Sequence, residues 1–181
     1  WGSVMGNALD RGLGYTPYGE HTKRICGLEV VLPNSEVVRT GMGAFPGSDA
    51  WTLYPYGFGP AWDQMFCQSN FGVVTKMGLW LMPEPESLMG MDVEFDRPED
   101  LKAMIDTIGP LRREGVLQQS PSIGNWLRAA AVLTTRQEWT EEPGALSDAV
   151  IDAIRKRFNI GWWGVSLRLY GREEINKAAY K

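Results

Sequence analysis

Six glycines fall within the first 27 residues (Gly2, Gly6, Gly12, Gly14, Gly19 and Gly27), with little periodic apolar pattern between them. Such a stretch reads as loop, passing close to something its backbone must approach. The punctuation resumes over residues 41–60, where Gly41, Gly43, Pro46, Gly47, Pro55, Gly57, Gly59 and Pro60 predict a second loop. Between the two lie valine-rich runs, residues 28–32 and 36–40, on either side of Pro33-Asn34-Ser35. That pattern predicts a β-hairpin. A short helix is expected to start near Pro60 and run through Met65 and Phe66, since proline is tolerated in a first helical turn. Residues 73–82 read as a strand closed by Pro83 and Pro85.

The character of the chain changes around residues 83–87, and a domain boundary is placed there, giving domains 1–85 and 86–181. Residues 91–95 read as a strand. Asp96 is the expected cap of a helix carrying Leu101, Met104, Ile105 and Ile108, one buried stripe at i, i+3, i+4 and i+7. Gly109-Pro110 is expected to interrupt it. Residues 125–133 form a second helix candidate. Ser147 is placed to cap a third, with Val150, Ile151, Ile154 and Phe158 on one face. Trp163, Val165, Leu167 and Leu169 alternate with Gly164, Ser166, Arg168 and Tyr170, so one face of that strand is buried. A last helix begins near Glu173. The sum is an α+β protein and not a doubly wound one.

Charge and composition remove several function classes. The net charge is −4 and no Lys/Arg cluster occurs, which argues against a nucleic-acid surface. No apolar run reaches the length of a membrane span, and no signal peptide is visible. The sequence opens at Trp1 and stops at Lys181 inside a helical pattern, so it is expected to be cut at both ends. Cys26 and Cys67 lack metal-ligand spacing and His21 is the only histidine, so no metal site is expected and the thiols read as buried and free. The eight tryptophans are scattered without repeat, as packing residues are.

The segment with chemical content is Gly6-Asn-Ala-Leu-Asp10-Arg-Gly-Leu-Gly-Tyr-Thr-Pro-Tyr-Gly19-Glu20-His21. It lacks the Gly-x-Gly-x-x-Gly of a Rossmann site and any Gly-Lys-Ser/Thr of a phosphate loop. Read by composition alone, Asp10 and Arg11 are an exposed ion pair on a surface loop, worth little. The wording, however, resembles the loop that passes the flavin ring in the vanillyl-alcohol oxidase and 4-cresol dehydrogenase family. There an acid in Leu-Asp-Arg-Gly lies beside the reactive N5 atom, and Asp10 holds that position. Residues 56–60 (Tyr-Gly-Phe-Gly-Pro) and 68–83 (Gln-Ser-Asn-Phe-Gly-Val-Val-Thr-Lys-Met-Gly-Leu-Trp-Leu-Met-Pro) also match. The family's Gly-Ile/Val-Val-Thr element supplies backbone contacts to the adenine side of FAD, a role the resemblance gives Gly72, Val73 and Val74. Ser35 departs from the pattern, since relatives often have glycine there. The resemblance weakens after residue 85 but continues at 109–112 and 169–171.

The resemblance implies that residues 1–85 are the C-terminal part of an FAD-binding domain, an antiparallel sheet with helices. Residues 86–181 would begin an α+β cap, or substrate, domain. The implied reaction is oxidation of a para-substituted phenol, bound as phenolate, by benzylic hydride transfer to flavin N5 through a quinone methide. Asp10 and Glu20 are the candidate catalytic acids: Asp10 as electrostatic partner and general base near N5, Glu20 as an acid facing the substrate cavity. Against these stand an Asp10 that only caps a turn and holds Arg11, and a Glu20 that is a solvated loop carboxylate. Flavin contacts are expected from Gly6, Asn7, Asp10, Arg11, Gly12 and Gly14, besides Gly72, Val73 and Val74. His21 is assigned no chemistry, and Tyr15 and Tyr18 are expected to pack. The implied partners are a phenolic small molecule and a cytochrome or other electron acceptor. A homo-oligomer is compatible, whereas nucleic acid and membrane are not expected. The segment alone is expected to be inactive, with sheet edges exposed. Two other readings stand beside this one. A 2-hydroxy-acid or lactone oxidase of the wider flavin superfamily keeps the fold, though Leu-Asp-Arg-Gly and Tyr-Thr-Pro-Tyr-Gly favour the phenol branch. A tryptophan-rich carbohydrate-binding module is the non-catalytic alternative.

Overall fold

The computed structural model describes residues 2–181. The chain divides into two compact units, one ending at Glu84 and the other spanning Pro85–Lys181.

The first unit opens with a short helix, α1 (Val4–Leu9), although the glycine spacing there predicts only loop. Ser3 caps it, its hydroxyl accepting the Gly6 N–H at 3.0 Å. The helix carries a glycine in its interior, which costs about 1 kcal/mol against alanine. Burial of Ala8 against the sheet offsets that. Strands β1 (Ile25–Val31) and β2 (Val37–Arg39) form the expected antiparallel hairpin, with Val30 opposite Val38. Ser35 in its turn has φ 69°, the left-handed region that favours glycine. Strand β3 (Val73–Leu79) pairs antiparallel with the other side of β1, giving the order β2-β1-β3. As the central strand, β1 is buried from Ile25 through Val30. Its one charged residue, Glu29, lies opposite both Arg39 and Lys76 and is bonded to each. The Arg39 guanidinium, first among these partners, holds the Glu29 carboxyl below the usual carboxylate range. Ala8, Ile25, Leu28, Val30 and Cys67 make the core. The helix expected from Pro60 shrinks to a single 3₁₀ turn, Asp63–Phe66.

The second unit contains β4 (Ser87–Phe95), α2 (Asp100–Arg113), β5 (Ser122–Asn125), α3 (Trp126–Leu133), α4 (Asp148–Phe158), β6 (Trp163–Gly171) and α5 (Glu173–Tyr180). Its antiparallel sheet has the order β4-β6-β5. The alternation read from the sequence is observed: Val165, Leu167 and Leu169 of β6 are buried against Met104 and Ile108 of α2. Two expectations for α2 require correction. It starts after Glu99 and not at Asp96, because Asp100 accepts the Arg97 N–H and side chain and closes the preceding turn. It also runs through Gly109-Pro110, since Ile108 and Leu111 stay packed on the core and Pro110 still accepts from the Glu114 N–H at 2.9 Å. Ile105 stands off the buried stripe at 49% exposure. Asn125 caps α3 and Ser147 caps α4, as expected for Ser147. A further cluster joins Ala130, Ile154 and Ile160 with Trp126, Trp139 and Phe158, so tryptophan here is a packing residue. With antiparallel sheets and helices in each unit, the protein is α+β.

Candidate functional site

The end of α1 determines where Asp10 stands. After Asp10 the backbone enters the left-handed region at Arg11 (φ 56°). The Arg11 N–H reaches the Ala8 carbonyl at 3.3 Å, and the Gly12 N–H reaches that of Asn7 at 2.8 Å. This is a Schellman close, with arginine where glycine is usual. The arginine costs roughly 1 kcal/mol or more in that conformation. Asp10 is left exposed at the helix end. Its carboxylate does not turn to Arg11. The Gln68 side-chain amide donates to it at 3.4 Å and to the Asp10 carbonyl at 3.2 Å.

Downstream, the loop folds back on α1 as a clasp. His21 Nδ1 and Asn7 Oδ1 lie 2.5 Å apart, and the Thr22 hydroxyl donates to the Ala8 carbonyl at 2.5 Å. Gly14 N–H bonds to Gly19, and His21 N–H to Gly12. A Cβ on Gly12 would fall on the Asn7 amide, and one on Gly14 on the His21 ring. These two glycines therefore make room for the clasp itself. His21 joins the loop to α1 through Asn7. Glu20 begins the 3₁₀ turn His21–Arg24 and pairs with Lys23 at 3.1 Å.

The second motif approaches from the sheet. Gly72 precedes β3, and a Cβ there would meet Val30 Cγ1 at 2.5 Å and the Val31 carbonyl at 2.9 Å. Glycine thus lets the chain press onto β1. Val74 packs into the core, while Val73 is 68% exposed. Because β3 is an edge strand, alternate backbone groups along it point away from β1.

The two motifs meet in a cleft of about 260 Å³ lined by Gly6, Leu9, Asp10, Phe66, Gln68, Ser69, Gly72 and Val74. Of the residues singled out from the sequence, Gly6, Asp10, Gly72 and Val74 line it. Arg11 and Val73 adjoin lining residues in the chain, and Asn7, Gly12, Gly14 and Glu20 lie outside it.

Sequence reasoning assigned no role to two further polar residues. Gln68 is one. The other is Asp63, 4% exposed, which accepts a hydrogen bond from the Thr40 hydroxyl. That hydroxyl in turn accepts the Leu28 N–H at 2.8 Å. Burial pushes the Asp63 carboxyl above its usual range, against the pull of the Thr40 bond. Burial likewise pushes up the thiols of Cys26 and Cys67, with the Asp63 charge adding to the rise. An apolar cavity of about 330 Å³, walled by Phe58, Trp62, Met65 and Phe66, reaches Asp63. The only signal in the sequence was an acid set among Trp62, Met65 and Phe66.

No family model matches the chain. The 4-cresol dehydrogenase (hydroxylating) flavoprotein subunit of Pseudomonas putida is 44% identical over 171 residues, covering 94% of this chain and 33% of that protein. The 1'-carboxy-chondrochloren decarboxylase of Chondromyces crocatus is 34% identical over 166 residues, covering 89% of this chain and 30% of that one. Among solved structures, substrate-bound p-cresol methylhydroxylase superposes with a TM-score of 0.90 at 42% identity, over 98% of this chain and 35% of that one. The 4-ethylphenol oxidase of Gulosibacter chungangensis, in complex with isoeugenol, gives 0.93 at 43% identity, over 99% and 35%. The chain thus spans about a third of the length of these relatives.

Proposed function

The chain belongs to the vanillyl-alcohol oxidase and 4-cresol dehydrogenase family, and on that premise we propose that the protein containing it is an FAD-dependent oxidoreductase of para-substituted phenols. The observation that carries this reading is the cleft in which Asp10 and Gly6 of one motif face Gly72 and Val74 of the other. In this reading the first unit is the C-terminal part of the FAD-binding domain, and the second begins the cap over the substrate.

The residues present fit part of a flavin site. At about 260 Å³ the cleft is smaller than the usual range for a cofactor-sized ligand, roughly 300–1,000 Å³, so it holds one portion of the group. Its lining offers what a flavin needs locally: glycine backbone at Gly6 and Gly72, one carboxylate, and the outward backbone groups of β3. The cleft would take one part of the flavin nucleotide, bounded by the end of α1 on one side and by residues 72–74 on the other. When bound, the flavin supplies a two-electron acceptor for the hydride of the benzylic carbon. Asp10 then favours positive charge developing on that carbon and takes the proton of the water that adds to the quinone methide. Arg11 extends the same turn, and Asn7, Gly12 and Gly14 keep its shape. Glu20, paired with Lys23 outside this cleft, is the candidate acid for the substrate side. A cytochrome or another electron acceptor is the expected redox partner of the whole protein.

The test uses the full-length protein. Its visible spectrum is recorded without oxygen before and after addition of a 4-alkylphenol. Bleaching of a flavin band is the expected result. An unbleached flavin band would move the substrate to another class, such as hydroxy acids, and lack of any flavin band after incubation with FAD would overturn the reading.

A further inference from the structure

We propose that Gln68 is a positioning residue for Asp10: from a left-handed backbone it ties the end of α1 to the segment leading into β3 and fixes the carboxylate at the cleft wall. This rests on the reading of Asp10 as the acid beside the reacting centre. Gln68 makes three hydrogen bonds to the α1 end across 58 residues of sequence. Its backbone N–H donates to the Leu9 carbonyl at 2.9 Å. Its side-chain amide donates to the Asp10 carbonyl at 3.2 Å and to Asp10 Oδ1 at 3.4 Å. The residue has φ 50°, a conformation that costs a non-glycine residue energy and persists only where the surroundings enforce it. Those surroundings are anchored just upstream, where Cys67 is buried and its Sγ lies 3.5 Å from the Asp63 carbonyl.

The choice of an amide has a chemical meaning. Lysine or arginine in this place would orient the carboxylate but also neutralise it. A neutral N–H donor fixes the oxygen and leaves the charge available to the reacting carbon or to water.

Two variants of the full-length holoenzyme test this. Gln68→Asn keeps an amide and tolerates the left-handed backbone, but is one methylene too short to reach Asp10. Gln68→Glu keeps the length and sets a second carboxylate against the first. Each is made alone and with Asp10→Ala. The limiting rate of flavin reduction by a 4-alkylphenol without oxygen, the apparent substrate affinity and the FAD content are measured. Gln68→Asn is expected to slow reduction about tenfold, the scale of one lost hydrogen bond to a charged group, with FAD content and substrate affinity kept. Gln68→Glu is expected to be slower still. With Asp10→Ala already present, each change should add no more than roughly twofold. Equal losses with and without Asp10 would make Gln68 merely structural and overturn the proposal. Normal reduction in Gln68→Asn beside slow reduction in Asp10→Ala would overturn it while sparing the Asp10 reading. Normal reduction in Asp10→Ala would overturn both. If Gln68→Glu fails to take up FAD, Gln68→Asn decides alone.

Discussion

Replacing Gly72 by alanine tests whether the second motif works through backbone approach. Gly72 has no left-handed φ, so the penalty is steric alone. The added methyl would sit 2.5 Å from Val30 Cγ1 and 2.9 Å from the Val31 carbonyl. Carbon–carbon contacts are optimal near 3.5–4.0 Å, so the overlap is about 1 Å. Neither neighbour can yield. Val30 is fully buried on the central strand and stiff at χ1, and Val31 is in register with Val73. The start of β3 must therefore lift from β1, at an overpacking cost of about 1–3 kcal/mol. The same displacement withdraws residues 72–74 from the cleft. One or two lost backbone bonds, worth about 1 kcal/mol each, weaken FAD binding roughly tenfold. Gly47→Ala is the control. Its φ of 72° makes alanine cost about 1 kcal/mol, yet nothing lies within 4 Å of the new methyl and it is not in the cleft. Thermal unfolding and FAD titration of the full-length apoprotein give both quantities. A Gly72→Ala protein of normal stability and FAD affinity would refute the steric argument, and a Gly47→Ala protein with the same FAD deficit would refute its locality.

Two further outcomes follow from the buried groups of the first unit. Burial raises the folded-state pKa of Asp63, so its contribution favours folding below the ordinary carboxylate pKa and is lost as pH rises through the folded value. Asp63→Asn keeps an acceptor for Thr40 and removes that loss, so it should be more stable than wild type at pH 7, by about 1.4 kcal/mol per unit of the raised pKa. The gain should fade as the pH falls below the carboxylate range. Denaturant unfolding at neutral and acid pH measures this, and a destabilised or pH-independent variant would contradict it. Cys26 and Cys67 are buried with thiols pushed up, so neither should react with a thiol reagent at pH 8 until the protein unfolds. Fast labelling of native protein would show that the core around Cys67 opens.

Elements whose pattern is local were legible in the sequence. The β1–β2 hairpin showed in its valine runs, β6 in its strict alternation, and α4 in Ser147 and its apolar face. What failed depended on partners remote in sequence. A six-residue helix such as α1 is too short to display a period, and it survives because Ala8 packs on β1. Proline at 110 reads as a stop, but Ile108 and Leu111 keep α2 packed on either side of it. Tertiary contacts outweighed local preference in both places.

The site divides along the same line. Asp10 was legible as an identity, because its neighbours form a recognisable motif. Its setting was not, because Gln68 comes from 58 residues away. Glycine was ambiguous for a related reason. Gly12 makes room for a side chain of α1, Gly14 for the His21 ring, and Gly72 for a neighbouring strand, yet in sequence all three look alike. Of the five described non-glycine residues in left-handed backbone, two, Arg11 and Gln68, adjoin or bond Asp10. Glycine at 68 would remove the only side-chain donor to Asp10 found among the described residues. On the proposed reading of Asp10, the left-handed backbone at Arg11 and Gln68 is the local cost of an aimed carboxylate.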